Sequence, residues 1–182
     1  MSGQLTPLTQ ADLPTIRAWR NHEQINAFMC AQHCISEVEH QQWFTQKEQD
    51  PLQYLYLYQE NGVAQGFMQL QKISLESDVY RWGFYISPDA SRGTGTKMTQ
   101  QALKLAFDVL NAQKIAGEVL GFNHASRSLH NKLGFREEGC LKQHHYLNGQ
   151  YHDLYCFGLL QSDYRVNKER GVLRVRASTD YD

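Results

Sequence analysis

A chain of 182 residues is long enough for one compact domain with a sizeable core and too short for two ordinary domains. Apolar residues make up 41% of it and aromatic residues 12%, which excludes a wholly disordered protein. The formal net charge of −1 provides no basic excess to neutralise phosphates, so nucleic acid is not expected as a partner. No apolar run approaches the ~20 residues of a membrane helix, and the first residues lack a signal-peptide pattern, so we expect a cytoplasmic protein without a membrane partner.

The start of the sequence predicts one short strand and two helices. Residues 5–9 form the strand, and residues 12–29 carry helical signals with a capping box at their start. A second S-x-x-E box at residues 36–39 opens another helix, which stops near Pro51.

The middle of the sequence predicts three successive antiparallel strands. Residues 54–58 alternate at period two, and Asn61-Gly62 is a strong hairpin signal before a returning strand over 66–73. The third strand, over 80–86, places alternate aromatic and aliphatic side chains on one face. A helix is then predicted over 96–111, because a stripe of apolar residues recurs at helical spacing: Met98, Ala102, Leu105 and Val109.

The last third predicts a strand over 115–120, a short helix over 126–133 closed by Gly134, and a hairpin of two strands over 141–146 and 151–159. The long helix joins strands that can be parallel neighbours. The fold class is therefore α+β around a mixed sheet. We expect one domain over residues 1–165 and a polar C-terminal tail over 166–182 that frays.

The cysteine pattern does not predict a metal site. Cys30 and Cys34 flank His33, but the second half of a zinc site is missing, because Cys140 and Cys156 are not a close pair. Without an export signal, all four are expected as reduced, buried thiols.

Residues 91–97, which read Ser-Arg-Gly-Thr-Gly-Thr-Lys, form the first candidate binding loop. Two glycines before a strong helix allow a close backbone approach, and the free N–H groups at a helix start suit a phosphate or pyrophosphate. Arg92 and Lys97 would add positive charge. A tight turn without a ligand fits the glycines equally well, and neither a Walker loop nor a full G-x-G-x-x-G fingerprint is present.

Two motifs resemble those of the GCN5-related N-acetyltransferases. Arg92-x-x-Gly95 is similar to the family's loop for the pyrophosphate of coenzyme A. Asn123, Ser126 and the following His130-x-Lys132-Leu133-Gly134-Phe135 resemble its second signature, a short helix that ends in Lys-x-Gly-Phe. The resemblance covers nearly all of residues 5–160 and implies a mixed, mostly antiparallel sheet, flanked by helices and splayed at the acetyl-coenzyme A site.

The resemblance implies acetyl-coenzyme A as cosubstrate. The residues that it assigns to binding are Ile86, Ser87, Arg92, Gly93, Thr94, Gly95, Thr96, Lys97, Asn123, Ser126 and Lys132. One departure lies in the loop, where the family has Gly or Ala at the position of Lys97; a lysine stem can point outward and leave the loop intact.

Two interpretations remain open for each of the two candidate catalytic residues. In many relatives a tyrosine stands at the position of His130 and protonates the departing thiolate. Histidine can supply a proton there, or His130 instead caps the helix and touches pantetheine. Glu118, on an alternating strand, is a candidate base for the attacking amine or a structural residue.

A closer resemblance is to the N-acetyltransferases of pseudaminic acid biosynthesis, whose substrate is a UDP-linked 4-amino-dideoxy sugar and whose product feeds flagellin or surface glycosylation. It is carried by Trp19-Arg20-Asn21, by residues 35–44, by Trp82–Ile86, by residues 114–120 and by Tyr151-x-Asp153. It implies a nucleotide-linked amino sugar bound by Arg20, His40, Trp43 and Tyr85. Arg20 suits a pyrophosphate and Trp43 a base, although both types are also common as structural residues.

Other functions fit parts of the same pattern. Acetyltransferases of ribosomal-protein N-termini and of polyamines share several of these motifs, although near-neutral charge argues against a strongly acidic polyamine cleft. A non-catalytic sensor of acyl-coenzyme A would keep the loop and lack a proton donor. The sequence leaves the oligomeric state open between a monomer and a homodimer.

Overall fold

The structure, a computed structural model, describes residues 3–171. Seven strands are present in this part of the chain: β1 Gln4–Pro7, β2 Gln53–Glu60, β3 Val63–Lys72, β4 Val79–Ile86, β5 Lys114–Leu120, β6 Arg136–Leu147 and β7 Gln150–Leu160. The α-helices are α1 Leu13–Asn21, α2 Glu23–Asn26, α3 Glu37–Glu48, α4 Thr94–Lys104, α5 His124–Lys132 and α6 Gln161–Glu169.

All seven strands join one mixed sheet in the order β1-β2-β3-β4-β5-β7-β6. Every neighbouring pair is antiparallel except β4 and β5, which are parallel and connected through α4. The predicted α+β class and the predicted parallel pair are confirmed. Both hairpin turns are confirmed as well, because Asn61-Gly62 and Asn148-Gly149 have positive φ at both residues, the conformation that a two-residue hairpin turn needs.

The parallel pairing of β4 and β5 is short. It joins Val79–Arg81 to Lys114–Ala116 and then ends, although β4 continues to Ile86 and β5 to Leu120. The two strands therefore diverge, and beyond Arg81 the edge of β4 that faces β5 has no strand partner among residues 3–171. This is the splay that the family resemblance implies.

The sheet is covered on both faces, because neighbouring residues of a strand point to opposite sides. Leu57 and Phe67 pack with α1 and α3 on one face. Tyr58 and Met68, the residues that follow them, pack on the other face in the core built around α4. The site described below lies where this two-sided core is interrupted by the splay.

The first helical region differs from the prediction of one helix over 12–29. Helix α1 ends at Asn21, and His22 is extended with φ −66° and ψ 135°. The Nδ1 atom of His22 then accepts a hydrogen bond from the N–H of Gln24 at 3.3 Å and starts the short helix α2. Histidine is not a common N-cap residue, so the break has no strong signal in the sequence.

The helix predicted over 96–111 begins earlier, and its end is different. α4 ends at Lys104, and one π-helical turn follows over Leu105–Val109, with the N–H of Leu110 bonded to the carbonyl of Leu105. The buried stripe continues through Ala106, and Val109 is 64% exposed. Its predicted place in the stripe was wrong, because the π turn rotates the later side chains relative to a regular helix.

The predicted domain end at residue 165 falls inside a helix. α6 spans Gln161–Glu169, and its Tyr164 stacks on Phe107 with ring centroids 4.6 Å apart. Lys168, beyond the predicted end, pairs with Asp108 at 2.9 Å. The packed part therefore extends past residue 165, and residues 172–182 of the predicted tail lie outside the described residues. None of the helices from residue 3 to residue 171 has the length and apolar character to cross a membrane.

Candidate active site

A cavity of about 380 Å³ occupies the gap between the diverging ends of β4 and β5. We call it the first cavity. Its walls come from β4, β5, α5, the start of α4 and the stretch from α2 to Cys30. Its lining includes Phe28, Met29, Cys30, Phe84, Ile86, Gly95, Glu118, Asn123, Ser126 and His130. Most of the lining is apolar, so the cavity favours the less polar parts of a ligand.

A second cavity of about 270 Å³ lies on the side of α1 and α3. All four residues predicted to bind the acceptor line it: Arg20, His40, Trp43 and Tyr85. The two cavities share Met29, Gly83, Phe84 and Tyr85, so β4 forms a common wall. The structure thus has two adjoining compartments. The predicted acceptor residues line the second, with Tyr85 on the shared wall, and four of the predicted donor residues line the first: Ile86, Gly95, Asn123 and Ser126.

The predicted binding loop leads into α4 beside the first cavity. Gly93 has a φ of +95° and stands before the first residue of the helix, a conformation that favours glycine. The N–H of Thr94 donates to Ser91 and that of Lys97 to Gly93, whereas those of Gly95 and Thr96 have no backbone acceptor among residues 3–171. Two donors at a helix start are therefore free to bind an anion.

Neither charged side chain of the loop lines the first cavity. Lys97 points outward, and its Nζ lies 3.0 Å from Glu60 Oε2 on β2. That carboxylate neutralises the charge which the sequence analysis assigned to ligand binding. Arg92 is exposed and has no ion pair in the described part of the chain.

Besides Arg92, Gly93, Thr96 and Lys97, which do not line either cavity, three other predicted donor-site residues lie outside both linings. Thr94 is buried in the core side of the helix start. Ser87 shapes the end of β4: its N–H donates to Gln65, and its hydroxyl accepts from the N–H of Asp89 at 3.3 Å. Lys132 is exposed at the end of α5. None of these three side chains is therefore placed to contact a ligand in the gap directly.

Asn123 and Ser126 begin α5 at the edge of the first cavity. Asn123 Oδ1 accepts the N–H of Ser126 at 3.1 Å and caps the helix. Both residues line the first cavity, as the second signature motif predicts. Their placement is a direct consequence of the cap, because it fixes the first turn of α5 against the gap.

His130 is buried, with 2% of its surface exposed. Its Nδ1 lies 2.8 Å from the carbonyl oxygen of Ser126, and its Nε2 lies 3.0 Å from Trp82 Nε1. Because a carbonyl only accepts and an indole N–H only donates, Nδ1 carries the proton and Nε2 accepts one. Burial also lowers the pKa of His130, so the ring is neutral. The proton on Nδ1 is held by the carbonyl of Ser126, and Nε2 carries no proton that it could give to a thiolate. This arrangement does not support the predicted acid role.

The neutral state of His130 predicts a dependence of stability on pH. The unfolded imidazole has an ordinary pKa near 6.5, and the folded one is lower. As pH falls below 6.5, the unfolded chain binds a proton that the folded chain rejects, so the free energy of unfolding decreases. We expect a decrease between pH 7.5 and 5.5 in urea unfolding, and a smaller one in His130→Gln. An equal decrease in both proteins would show that His130 is not its source.

Glu118 lies on β5 with an exposed side chain that borders the first cavity. It pairs across the sheet with Cys156. It has no ion pair or side-chain hydrogen bond within residues 3–171, so the carboxylate is free to accept a proton. Its placement is compatible with the predicted base, which stays a prediction.

Arg20 and two asparagines hold the segment 27–36 between α2 and α3. Arg20 Nη1 donates to Asn26 Oδ1 at 2.7 Å, and Nη2 donates to the carbonyl of Ala31. Asn21 exchanges two hydrogen bonds with the backbone of Ile35, at 2.8 and 2.9 Å. The Trp-Arg-Asn motif thus has a structural role that its sequence pattern did not predict: it anchors a segment that lines both cavities.

The same segment is touched from the opposite side by the β6–β7 hairpin. His145 Nε2 lies 3.1 Å from the carbonyl oxygen of Cys30, and Asn148 Nδ2 donates to Gln32 Oε1 at 2.9 Å. The segment is therefore fixed between α1 and the hairpin.

His40, Trp43 and Tyr85 form an aromatic wall of the second cavity. The rings of His40 and Trp43 stack at 5.0 Å with an interplanar angle of 10°. His40 is buried, and its Nδ1 has no hydrogen-bond partner in the described part of the chain. Burial together with Arg17 and Arg20 lowers its pKa. Tyr85 donates its hydroxyl to the carbonyl of Ile16 at 3.3 Å, and burial raises its pKa, so the phenol stays protonated.

The Acetyltransferase (GNAT) domain family matches residues 4–136, well over half of the chain. The protein belongs to this family. It is therefore a GNAT-type N-acetyltransferase, and its cosubstrate is acetyl-coenzyme A. The fold, the splay and the loop at the start of α4 follow the pattern that the sequence motifs predicted for such an enzyme.

Several acetyltransferases named for different activities resemble this GNAT protein. Acetyltransferase PseH of Campylobacter jejuni (strain NCTC 11168) is 28% identical over 147 residues, covering 76% of this chain and 90% of the relative. Spermidine N(1)-acetyltransferase of Escherichia coli (strain K12) is 24% identical over 164 residues, covering 90% and 88%. The crystal structure of spermidine N-acetyltransferase from Vibrio cholerae in complex with CoA and spermine superposes with a TM-score of 0.84 at 24% identity, covering 90% of this chain and 98% of that one. The fold and the acetyltransferase family are thus shared, and the acceptor is not fixed by these similarities.

Sequence reasoning missed several wall residues of this GNAT site. Phe28, Met29 and Cys30 lie in the segment after α2, and the first two fall where a continuous helix over 12–29 was predicted. Cys30 and Cys34 are exposed, which corrects the expectation of buried thiols; the segment that carries them lies on the surface and outside the core. Within residues 3–171, no three His, Cys, Asp or Glu side chains converge on a possible metal position.

Proposed function

We propose that this acetyltransferase acetylates the 4-amino group of a UDP-linked amino-dideoxy sugar, a reaction of pseudaminic acid biosynthesis for flagellin or surface glycosylation. The donor would occupy the first cavity and the sugar nucleotide the second, with the two reacting groups meeting at the shared wall of Gly83, Phe84 and Tyr85. The PseH relatives support this class of acceptor.

The observation that carries the proposal is the chemistry of the second cavity. It combines a stacked aromatic pair with a guanidinium, at His40, Trp43 and Arg20. Burial lowers the pKa of His40, and Arg17 and Arg20 lower it further while Glu39 acts in the opposite direction, so two guanidinium groups and one carboxylate lie near this ring. A positive, aromatic compartment favours an anionic ligand with a planar base over a polycation.

The first cavity fits the donor. Bound acetyl-coenzyme A supplies a thioester carbonyl that an amine can attack. The unpaired edge of β4 offers backbone hydrogen-bonding groups along the gap, and the N–H groups of Gly95 and Thr96 suit a pyrophosphate. The apolar walls exclude water and hold the partners in position, which supplies much of the rate. Glu118, directly or through water, is the candidate to accept the proton of the amine.

A polyamine is the second candidate acceptor, supported by the similarity to spermidine acetyltransferases. The second cavity contains one carboxylate, Glu39, which would attract an ammonium group. That carboxylate is already paired with His33 at 2.6 Å. An ammonium group would have to compete with this contact for the one carboxylate in the lining, and we place this acceptor second.

An assay of coenzyme A release tests the proposal directly. Acetyl-coenzyme A would be incubated with the protein and a UDP-linked 4-amino sugar, with spermidine, or with a peptide carrying a free N-terminus. We expect kcat/KM for the sugar nucleotide to exceed the other two by a hundredfold or more. A higher value for spermidine would establish the polyamine function, and binding of coenzyme A without turnover of any amine would indicate a sensor.

A further inference from the structure

The strand pairing of β4 and β5 ends at a specific pair of side chains. The last paired residues are Arg81 and Ala116, and the next residues of the two strands are Trp82 and Gly117. Trp82 donates its indole N–H to His130 of α5 at 3.0 Å. A polar contact between β4 and α5 thus begins where the strand hydrogen bonds stop.

This contact lies directly over Gly117. A Cβ atom at residue 117 would lie 2.6 Å from His130 Nε2 and 2.8 Å from Trp82 Nε1, closer than real Cβ contacts allow. Glycine is therefore required at this position of β5 as long as the two rings stay in contact. The indole and the imidazole occupy the space that a side chain of β5 would otherwise fill.

Aromatic neighbours fix both rings from the sides. Phe135 stacks on Trp82 with centroids 4.8 Å apart, and Phe157 stacks on His130 at 4.9 Å. The second imidazole nitrogen is bound to the carbonyl of Ser126, so the ring cannot turn without losing a buried hydrogen bond. The pair is thus rigid, and all its polar atoms are satisfied.

We propose that Trp82 and His130, seated over Gly117, form a wedge that keeps β4 and β5 apart and so holds the first cavity open for acetyl-coenzyme A. In this role the three are positioning residues: they place the free edge of β4 opposite α5 and transfer no proton. The inference rests on the proposed placement of the donor in the first cavity. A positioning role for His130 is compatible with its neutral ring, because both ring nitrogens are hydrogen-bonded.

The first test substitutes the glycine. Gly117→Ala must displace the Trp82–His130 pair, and we expect the dissociation constant for coenzyme A, measured by calorimetry, to rise at least tenfold. Gly139→Ala is the matched control, because a Cβ at that strand glycine would meet no atom within 4 Å. The control should bind within twofold of the wild type. Equal affinities for both variants and the wild type would overturn the wedge.

The second test separates the hydrogen bond from ring volume. His130→Phe keeps a ring but leaves the indole N–H without an acceptor, whereas His130→Gln places a carbonyl oxygen near the former Nε2. We expect the phenylalanine variant to raise KM for acetyl-coenzyme A at least tenfold with a smaller change in kcat, and the glutamine variant to restore most of the loss. Phe107→Leu, in the core away from the gap, controls for lost stability and should leave KM unchanged.

Two other outcomes would overturn the inference. If both His130 variants lower kcat a hundredfold at unchanged KM, the ring acts in the chemical step. If the melting temperature falls to the same extent as in Phe107→Leu with KM unchanged, the pair is structural only. If acetyl-coenzyme A does not occupy the first cavity at all, Gly95→Val will bind coenzyme A as the wild type does. That result distinguishes a wrong donor site from a wrong wedge.

Discussion

Gly95→Val is expected to weaken the binding of coenzyme A by at least a hundredfold, about 2.7 kcal/mol of binding free energy. Gly95 borders the first cavity, and its N–H is one of the two free donors at the start of α4. A Cβ atom there would lie 3.8 Å from the side chain of Ile86, so the valine methyl groups extend into the gap beside β4. They would keep a pyrophosphate away from the free N–H groups.

The variant should fold. The Cβ makes only an ordinary contact with Ile86, and valine is no worse than glycine within a helix. Lys104→Val, an exposed position of the same helix, is the matched control and should bind as the wild type does. Calorimetry with coenzyme A and thermal unfolding give the two quantities needed. An affinity within threefold of the wild type in a folded Gly95→Val protein contradicts the assignment of this loop.

Arg20→Ala is expected to raise KM for the acceptor amine at least tenfold, or 1.4 kcal/mol and above. The guanidinium lines the second cavity and also anchors the segment 27–36 through Asn26 and Ala31. Its removal takes away a positive group and loosens a wall. Arg20→Lys should not restore the loss, because one ammonium group cannot reproduce the two-pronged geometry of a guanidinium.

Asn21→Ala distinguishes the two contributions. Asn21 anchors the same segment through Ile35 and does not line either cavity. We expect it to raise the acceptor KM by a smaller factor than Arg20→Ala does, in steady-state assays with acetyl-coenzyme A saturating. An acceptor KM within twofold of the wild type in Arg20→Ala would remove this residue from the acceptor site.

The sequence was informative where local chemistry dictates local structure. The two Asn-Gly turns, the Ser36 cap and the glycine-containing loop before α4 each need particular residues, and the structure places them as predicted. The splay could be predicted only through the family resemblance, since no single residue of β4 or β5 reports where their pairing ends.

The features that escaped prediction depend on contacts between distant residues. The role of His130 is set by Trp82, 48 positions away, because the indole N–H donates a hydrogen bond to the imidazole nitrogen that an acid would need. Lys97 of α4 pairs with Glu60 of β2, 37 positions away. Pattern analysis along one chain does not show such partners.

The anchored segment 27–36 has an evolutionary consequence. It is attached to α1 and to the β6–β7 hairpin by a few hydrogen bonds, and none of the seven strands runs through it. Selection can therefore replace its side chains, or change its length, without altering the register of the sheet or the donor loop. Descendants of one ancestor could in this way come to accept sugars, polyamines or peptides while they retain the sheet and the loop before α4.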